Sequence, residues 1–172
     1  MLLRVVVSLC LLAVSLGACT PEGGSGDGGV DATEQQAPPD DAQPVVVVRT
    51  PAGEAGMRLR VEPERIEPDE DVSITLDNIG ELDLLTGLDY VIERWDGTTW
   101  VQVFTPEVPA VGLGLGPGQS TPEGEVPAWP GQFRREITPE PGTYRVTKTA
   151  SVEGDAVTTL SVDASFEVVA HG

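Results

Sequence analysis

Leu160, Val162, Ala164, Phe166 and Val168 are apolar, and the residues between them include Ser161, Asp163, Ser165 and Glu167. Such strict alternation puts one face of an extended chain against a core and the other in water, and no helix can use it. The same period of two recurs upstream. Leu59 and Val61 mark a strand over 58–62; Val72, Ile74 and Leu76 mark one over 72–77; Tyr144 and Val146 open one over 144–152. The four valines of 45–50 read as a first strand or a lead-in, and Phe133 to Ile137 reads as a further strand. Proline and glycine punctuate the gaps: Pro63 and Pro68 lie between the second and third runs, and Glu153-Gly154-Asp155 lies between the last two. About seven short strands with no helical period predict an all-β, antiparallel β-sandwich over 45–170.

Asp96-Gly97, between Tyr90–Trp95 and Thr98–Phe104, is the strongest local hairpin signal in the chain. A two-residue turn pairs Trp95 with Thr98, Ile92 with Val101 and Tyr90 with Val103. Tyr90, Ile92, Val101 and Val103 then face the core, and Trp100 falls on the other face near Glu93. A longer loop shifts the register and exchanges the faces. Residues 105–131, rich in Pro and Gly, read as a long crossing loop with room for one short strand.

Ahead of the sandwich stand two segments of different character. Arg4 precedes an apolar run over 5–16, a length that suits a signal peptide and is short for a membrane span. The run ends in Leu16-Gly17-Ala18-Cys19, which resembles the lipobox of bacterial lipoproteins. That resemblance implies cleavage after residue 18 and a diacylglyceryl group on the Cys19 sulfur, with further acylation of the new amine. Two or three acyl chains anchor stably where one does not. Residues 19–44 form the next segment. Beyond Cys19 it is Gly, Pro, Ser, Thr, Asp, Glu, Gln and Ala, with Val30 its only branched aliphatic residue. It cannot bury enough apolar surface to offset the entropy of ordering, so a disordered acidic tether is expected, with an rms reach of roughly 25–30 Å.

Charge and cysteine usage narrow the function. The formal net charge is −18, and loss of Arg4 on processing makes the mature chain more acidic still. This excludes a nucleic-acid partner, which requires clustered cations, and any electrostatic hold on anionic lipid. The sandwich has no cysteine, and its one histidine, His171, stands in a terminal tail, so neither a Cys/His zinc site nor a Ser-His-Asp arrangement is expected. Gly112-Leu113-Gly114-Leu115-Gly116-Pro117-Gly118 lacks the spacing and the Lys-Ser/Thr ending of a phosphate loop and reads as a flexible loop. No cofactor is expected. Calcium is the one ion the acidic loops invite, through Glu67, Asp69, Glu70 and Asp71 or through Asp77, Glu81, Asp83 and Asp89; neither set has EF-hand spacing. Of the three tryptophans, Trp129 in the long loop is the best candidate for an exposed stacking surface, since Trp95 and Trp100 suit cross-strand packing.

Glu140-Pro141-Gly142-Thr143-Tyr144 resembles a tyrosine corner, which implies a structural role for Gly142 in the turn and for the Tyr144 hydroxyl, bonded back to upstream backbone. Leu88-Asp89-Tyr90-Val91-Ile92-Glu93-Arg94 followed by Asp96-Gly97 and Trp100 is one half of a wider resemblance. Pro141-Gly142-Thr143-Tyr144-Arg145-Val146-Thr147-Lys148 with Phe166-Glu167-Val168 is the other. Over roughly 59–169 the chain resembles the bacterial immunoglobulin-like domains of exported proteins. The resemblance implies an Ig-like sandwich and brings no catalytic residues. The expected protein is a lipid-anchored, extracytoplasmic module of the cell membrane with a non-catalytic binding or structural role. Its partner would be another envelope protein or a glycan. The competing readings are a calcium-dependent envelope module and a small carboxylate-dependent hydrolase.

Overall fold

The computed structural model describes residues 44–122 and 124–172. Residues 1–43, which include the expected signal segment, Cys19 and all but the last residue of the expected tether, lie outside them. Among the described residues ten strands form two sheets. β1 (Val45–Thr50), β2 (Gly53–Glu62) and β4 (Ser73–Asn78) make the smaller sheet, in the order β1-β2-β4. β3 is the two-residue strand Arg65–Ile66. The larger sheet is centred on the long hairpin of β9 (Gly142–Val152) and β10 (Asp155–Val168). β3 pairs with β10 in parallel on one side. On the other side β9 is shared end to end by β5 (Leu84–Thr86) and β6 (Val91–Trp95), beyond which lie β8 (Leu113–Leu115) and β7 (Trp100–Phe104).

The inward residues are those of the period-two runs. Leu59, Val61, Ile74 and Leu76 of the small sheet are buried together with Tyr144, Val146, Leu160, Val162, Phe166 and Val168 of the large one. β2 begins earlier than the alternation suggests, because Ala55 and Met57 continue the inward row.

Trp129 is fully buried, not exposed. The long loop runs beside β4 as an irregular extra strand, with an antiparallel bridge at Asp77–Ser120 and another at Val72–Trp129. The amide and carbonyl of Val72 bond those of Trp129 at 2.7 and 3.1 Å. This carries the indole between the sheets, 5.2 Å from the Tyr144 ring and 5.3 Å from Phe166. A large aromatic inside a Pro/Gly loop is placed by burial of its area, not by a local period.

Two further expectations are corrected. Phe133 to Ile137 is not a strand. Residues 131–133 form a 3-10 turn, with Phe133 N bonded to Pro130 O and Glu136 N to Phe133 O. Phe133 is buried against Phe104, while Arg134, Arg135 and Glu136 all face solvent, so no alternation exists there to sustain a strand. The hairpin turn is longer than two residues: Trp95 pairs with Trp100, and a bulge then brings Ile92 opposite Phe104. Tyr90 and Ile92 are buried as expected, but Val101 and Val103 are exposed, and Phe104 takes the inner position. A tight turn with two positive φ angles is not formed; Gly97 alone of the turn residues has one, at +101°. Asp96 instead caps a four-residue loop, its carboxylate accepting the Thr98 and Thr99 amides at 2.8 Å each. Those bonds hold the Asp96 carboxyl below its usual pKa. Trp100 does lie on the face of Glu93, since Arg145 stacks on its ring at 4.6 Å and bonds Glu93 at 2.6 Å.

Candidate binding site

β5 exposes one large residue. Leu84 and Thr86 point inward, and Leu85 points out, opposite Gly114 on β8. Gly114 offers no side chain to cover it, and a Cβ at Gly112 would lie 3.1 Å from a Leu85 methyl. The glycine run that superficially resembles a phosphate loop therefore leaves Leu85 bare. Beside it opens a groove of about 530 Å³, walled by residues 85–89 and 108–112, with Ser151 at its margin. That volume lies within the range of small-ligand sites. The lining is apolar apart from two hydroxyls and one carboxylate. Thr86 Oγ1 donates to Thr149 O at 2.8 Å and Ser151 Oγ to Leu85 O at 3.4 Å; the carboxylate is Asp89. A carboxylate hydrolase needs two acids across the substrate, and this groove presents one.

The wall is held from behind by a lysine. β9 places Tyr144, Val146, Ala150 and Val152 inward, and Lys148 occupies the same row, 1% exposed. Its Nζ donates to Gly87 O and Asp89 O, both at 2.6 Å, so the ammonium clasps the turn that forms one side of the groove. Burial pulls its pKa down to about 8, and the nearby Asp89 charge offsets part of that. The signal for this residue in the sequence is a lysine at the third inward position of the run from Tyr144.

The corner is built as follows. Tyr144 Oη donates to Glu140 O at 2.6 Å, and the ring is buried, stacked on Phe166 at 5.5 Å. Burial raises the phenol pKa. Arg94, a participant that sequence reasoning did not single out, bonds the Glu140 carboxylate at 2.5 Å and Pro141 O at 3.0 Å. Gly142, at φ +154°, lies under that guanidinium: a Cβ there would be 2.9 Å from Arg94 Nε.

The acidic sets do not gather as calcium ligands. Asp77 is 7% exposed at its side chain and is taken by Arg58, Arg60 and Ser120 at 3.0, 2.9 and 2.6 Å. Burial pushes its carboxyl up, but those donors outweigh it and hold the pKa at about 2. Glu81, Asp83 and Asp89 do not converge with it among the described residues. In the first set Asp71 pairs with Arg134, and Glu70 accepts the Glu67 amide. Glu67 and Asp69 come together with His171, whose Nδ1 lies 3.0 Å from Glu67 Oε2. Three exposed ligand atoms are fewer than the six to eight oxygens calcium takes. Cys19 lies outside the described residues.

A three-stranded antiparallel sheet and a larger sheet that is antiparallel except at the β3–β10 pair, with a tyrosine at the head of a long central strand, define an immunoglobulin-like β-sandwich. Residues 53–167 match the family model of the bacterial Ig-like domain, and the chain belongs to that family. The family is typically one of non-catalytic extracellular modules. No curated protein gives a significant match.

Proposed function

We propose that this chain is an exported lipoprotein whose Ig-like domain is held at the extracytoplasmic face of the cell membrane as a non-catalytic binding or structural module. Residues 1–18 are the signal peptide, Cys19 bears the lipid, residues 19–44 are the tether, and residues 45–170 are the working domain. The observation that carries this reading is Leu16-Gly17-Ala18-Cys19 at the end of an apolar run, ahead of a domain of the bacterial Ig-like family. The groove beside Leu85 supplies the binding surface. Its apolar walls suit contact with an envelope protein, and its exposed Asp89 carboxylate offers an acceptor to the hydroxyls of a glycan.

Metabolic labelling with a fatty-acid analogue tests the anchor. The chain takes up label and Cys19→Ala does not, and the variant retains its signal segment. Label on Cys19→Ala overturns the reading. Capture from intact envelopes tests the groove: a partner held by the parent chain is lost with Leu85→Glu, and equal capture by both excludes the groove as its seat.

A further inference from the structure

We propose that the groove beside Leu85 receives an extended basic segment of another envelope protein, with an apolar side chain on Leu85 and an arginine or lysine at the carboxylates that flank it. This rests on the groove being the binding surface and names the chemistry of what fills it. Asp83 precedes Leu85 by two residues and so shares its outward face. Glu153, just past the end of β9, donates its amide to Asp83 O at 2.9 Å and stands opposite it. On the other side of Leu85, Asp89 lies in the groove wall and Glu107 adjoins Val108. All four carboxylates belong to exposed residues. Glycines keep this face open. A Cβ at Gly116 would lie 3.4 Å from Asp83 Oδ1, and one at Gly87 would collide with the Asp89 carboxylate. With Gly112 and Gly114 beside Leu85, the surface presents a carboxylate, a leucine and a second carboxylate in a row.

Charge selects the occupant. Segments 82–90, 105–116 and 149–155, which carry the groove and its rim, contain no arginine or lysine. The cation behind them is Lys148, 1% exposed, and its ammonium is engaged by Gly87 O and Asp89 O. The arginines elsewhere have carboxylates of their own: Arg49 has Glu54, Arg58 and Arg60 have Asp77, Arg94 has Glu140 and Arg145 has Glu93. Asp83, Asp89, Glu107 and Glu153 make no ion pair among the described residues. Asp83 and Glu153 face each other, and like charges so placed are destabilising until a cation lies between them. A cleft of one sign with apolar walls focuses its field and draws in the opposite charge. A neutral glycan gains nothing from that field, and a second copy of this chain, with net charge −18, is repelled by it.

The apolar walls set the second requirement. Arginine and lysine lay their aliphatic stems on apolar surface while the head reaches a charge, and arginine meets a carboxylate with two parallel bonds. Asp83 stands about 7 Å from Leu85, two residues along the strand, which is also the step between alternate side chains of an extended peptide. A leucine and an arginine two residues apart therefore match Leu85 and the Asp83–Glu153 pair. A polyamine supplies the charge without the branched apolar group.

Fluorescence anisotropy of a dye-labelled peptide, Leu-Thr-Arg-Thr-Leu-Thr-Arg, against the full chain in non-ionic detergent tests this. At an ionic strength of about 0.01 M, where screening is weak, the peptide binds the parent chain, and citrulline in place of both arginines weakens it about tenfold. Asp83→Asn and Asp89→Asn each weaken binding about three- to fivefold. Glu64→Gln removes the same charge at the far end of the β9–β10 hairpin, where Glu64 O accepts the Glu167 amide, and leaves binding unchanged. Leu85→Ser weakens it about tenfold. These are exposed side chains, so urea midpoints equal to the parent's are expected alongside. The proposal is overturned if the parent does not bind the peptide, if the citrulline peptide binds equally, or if spermine displaces the label as well as unlabelled peptide does. If Leu85→Ser weakens binding and the two aspartate variants match Glu64→Gln, the groove stands as a binding surface and its selection of a cation falls. If Leu85→Ser binds as the parent does, the peptide sits elsewhere and the groove falls as well.

Discussion

Removing one oxygen, in Tyr144→Phe, isolates the contribution of the corner to stability. The ring stays between Trp129 and Phe166, so apolar burial is unchanged. What is lost is the 2.6 Å bond to Glu140 O. A typical hydrogen bond contributes about 0.5–1.5 kcal/mol net, and a buried acceptor left without its donor costs about 1–3 kcal/mol. The second range applies to the extent that Glu140 O stays out of water, and Arg94 spans that turn without bonding this carbonyl. The expected loss is therefore about 1–3 kcal/mol, or roughly 3–6 °C of Tm per kcal/mol for a domain of this size. Tyr144→Ala adds a cavity beside Trp129 and costs about 3–5 kcal/mol. Arg94→Leu releases Pro141 O, the neighbouring carbonyl, so the two variants should couple by more than about 0.5 kcal/mol in a double-mutant cycle. Urea denaturation followed by tryptophan fluorescence measures all of these. A Tyr144→Phe change within about 0.5 kcal/mol, typical of a surface substitution, refutes the reasoning.

Lys148 and Asp77 give the domain two separate pH dependences. The Lys148 pKa is depressed to about 8 from 10.5, so its contribution is fully present above about 10.5 and is lost as pH falls to about 8. Stability should rise by roughly 3 kcal/mol across that window, and a Lys148→Met chain should not show the rise. Asp77 is depressed to about 2 from 3.8, so its contribution is present above about 3.8 and is lost as pH falls to about 2. Asp77→Asn should flatten the acid limb of stability by roughly 2 kcal/mol, and an unchanged limb counts against the Arg58–Asp77–Arg60 assignment. Gly80→Ala should destabilise by more than about 2 kcal/mol, because a Cβ there would lie 2.3 Å from the Gly56 amide nitrogen. A stability equal to that of the parent chain would mean that β2 and residues 79–81 are not in contact.

Where burial is one-sided and periodic, the strands were legible. β4, β9 and β10 follow from their alternation alone, because each inward residue meets the same core. Legibility failed where a side chain answered to something distant. Trp129 has no period around it and is placed by the aromatics of β9 and β10. The hairpin register turned on whether Asp96 would adopt a positive φ or cap with its carboxylate, and the Asp-Gly pair serves both. Of the candidate groove, the glycines at 112 and 114 were visible as a loop, but their use in baring Leu85 depends on a pairing between β5 and β8 that no local signal marks. Lys148 was visible as a break in a period and became meaningful only with the carbonyls of Gly87 and Asp89 beside it.

The central claim is that a lipid on Cys19 holds this Ig-like domain outside the cytoplasm. Intact-mass and N-terminal peptide mass spectrometry of the chain recovered from producing cells tests it most directly. The account predicts a mature chain that begins at Cys19 and carries the mass of a diacylglyceryl group, with or without an added N-acyl chain. A chain that begins at any other residue, or one that begins at Cys19 with a free thiol, would contradict it.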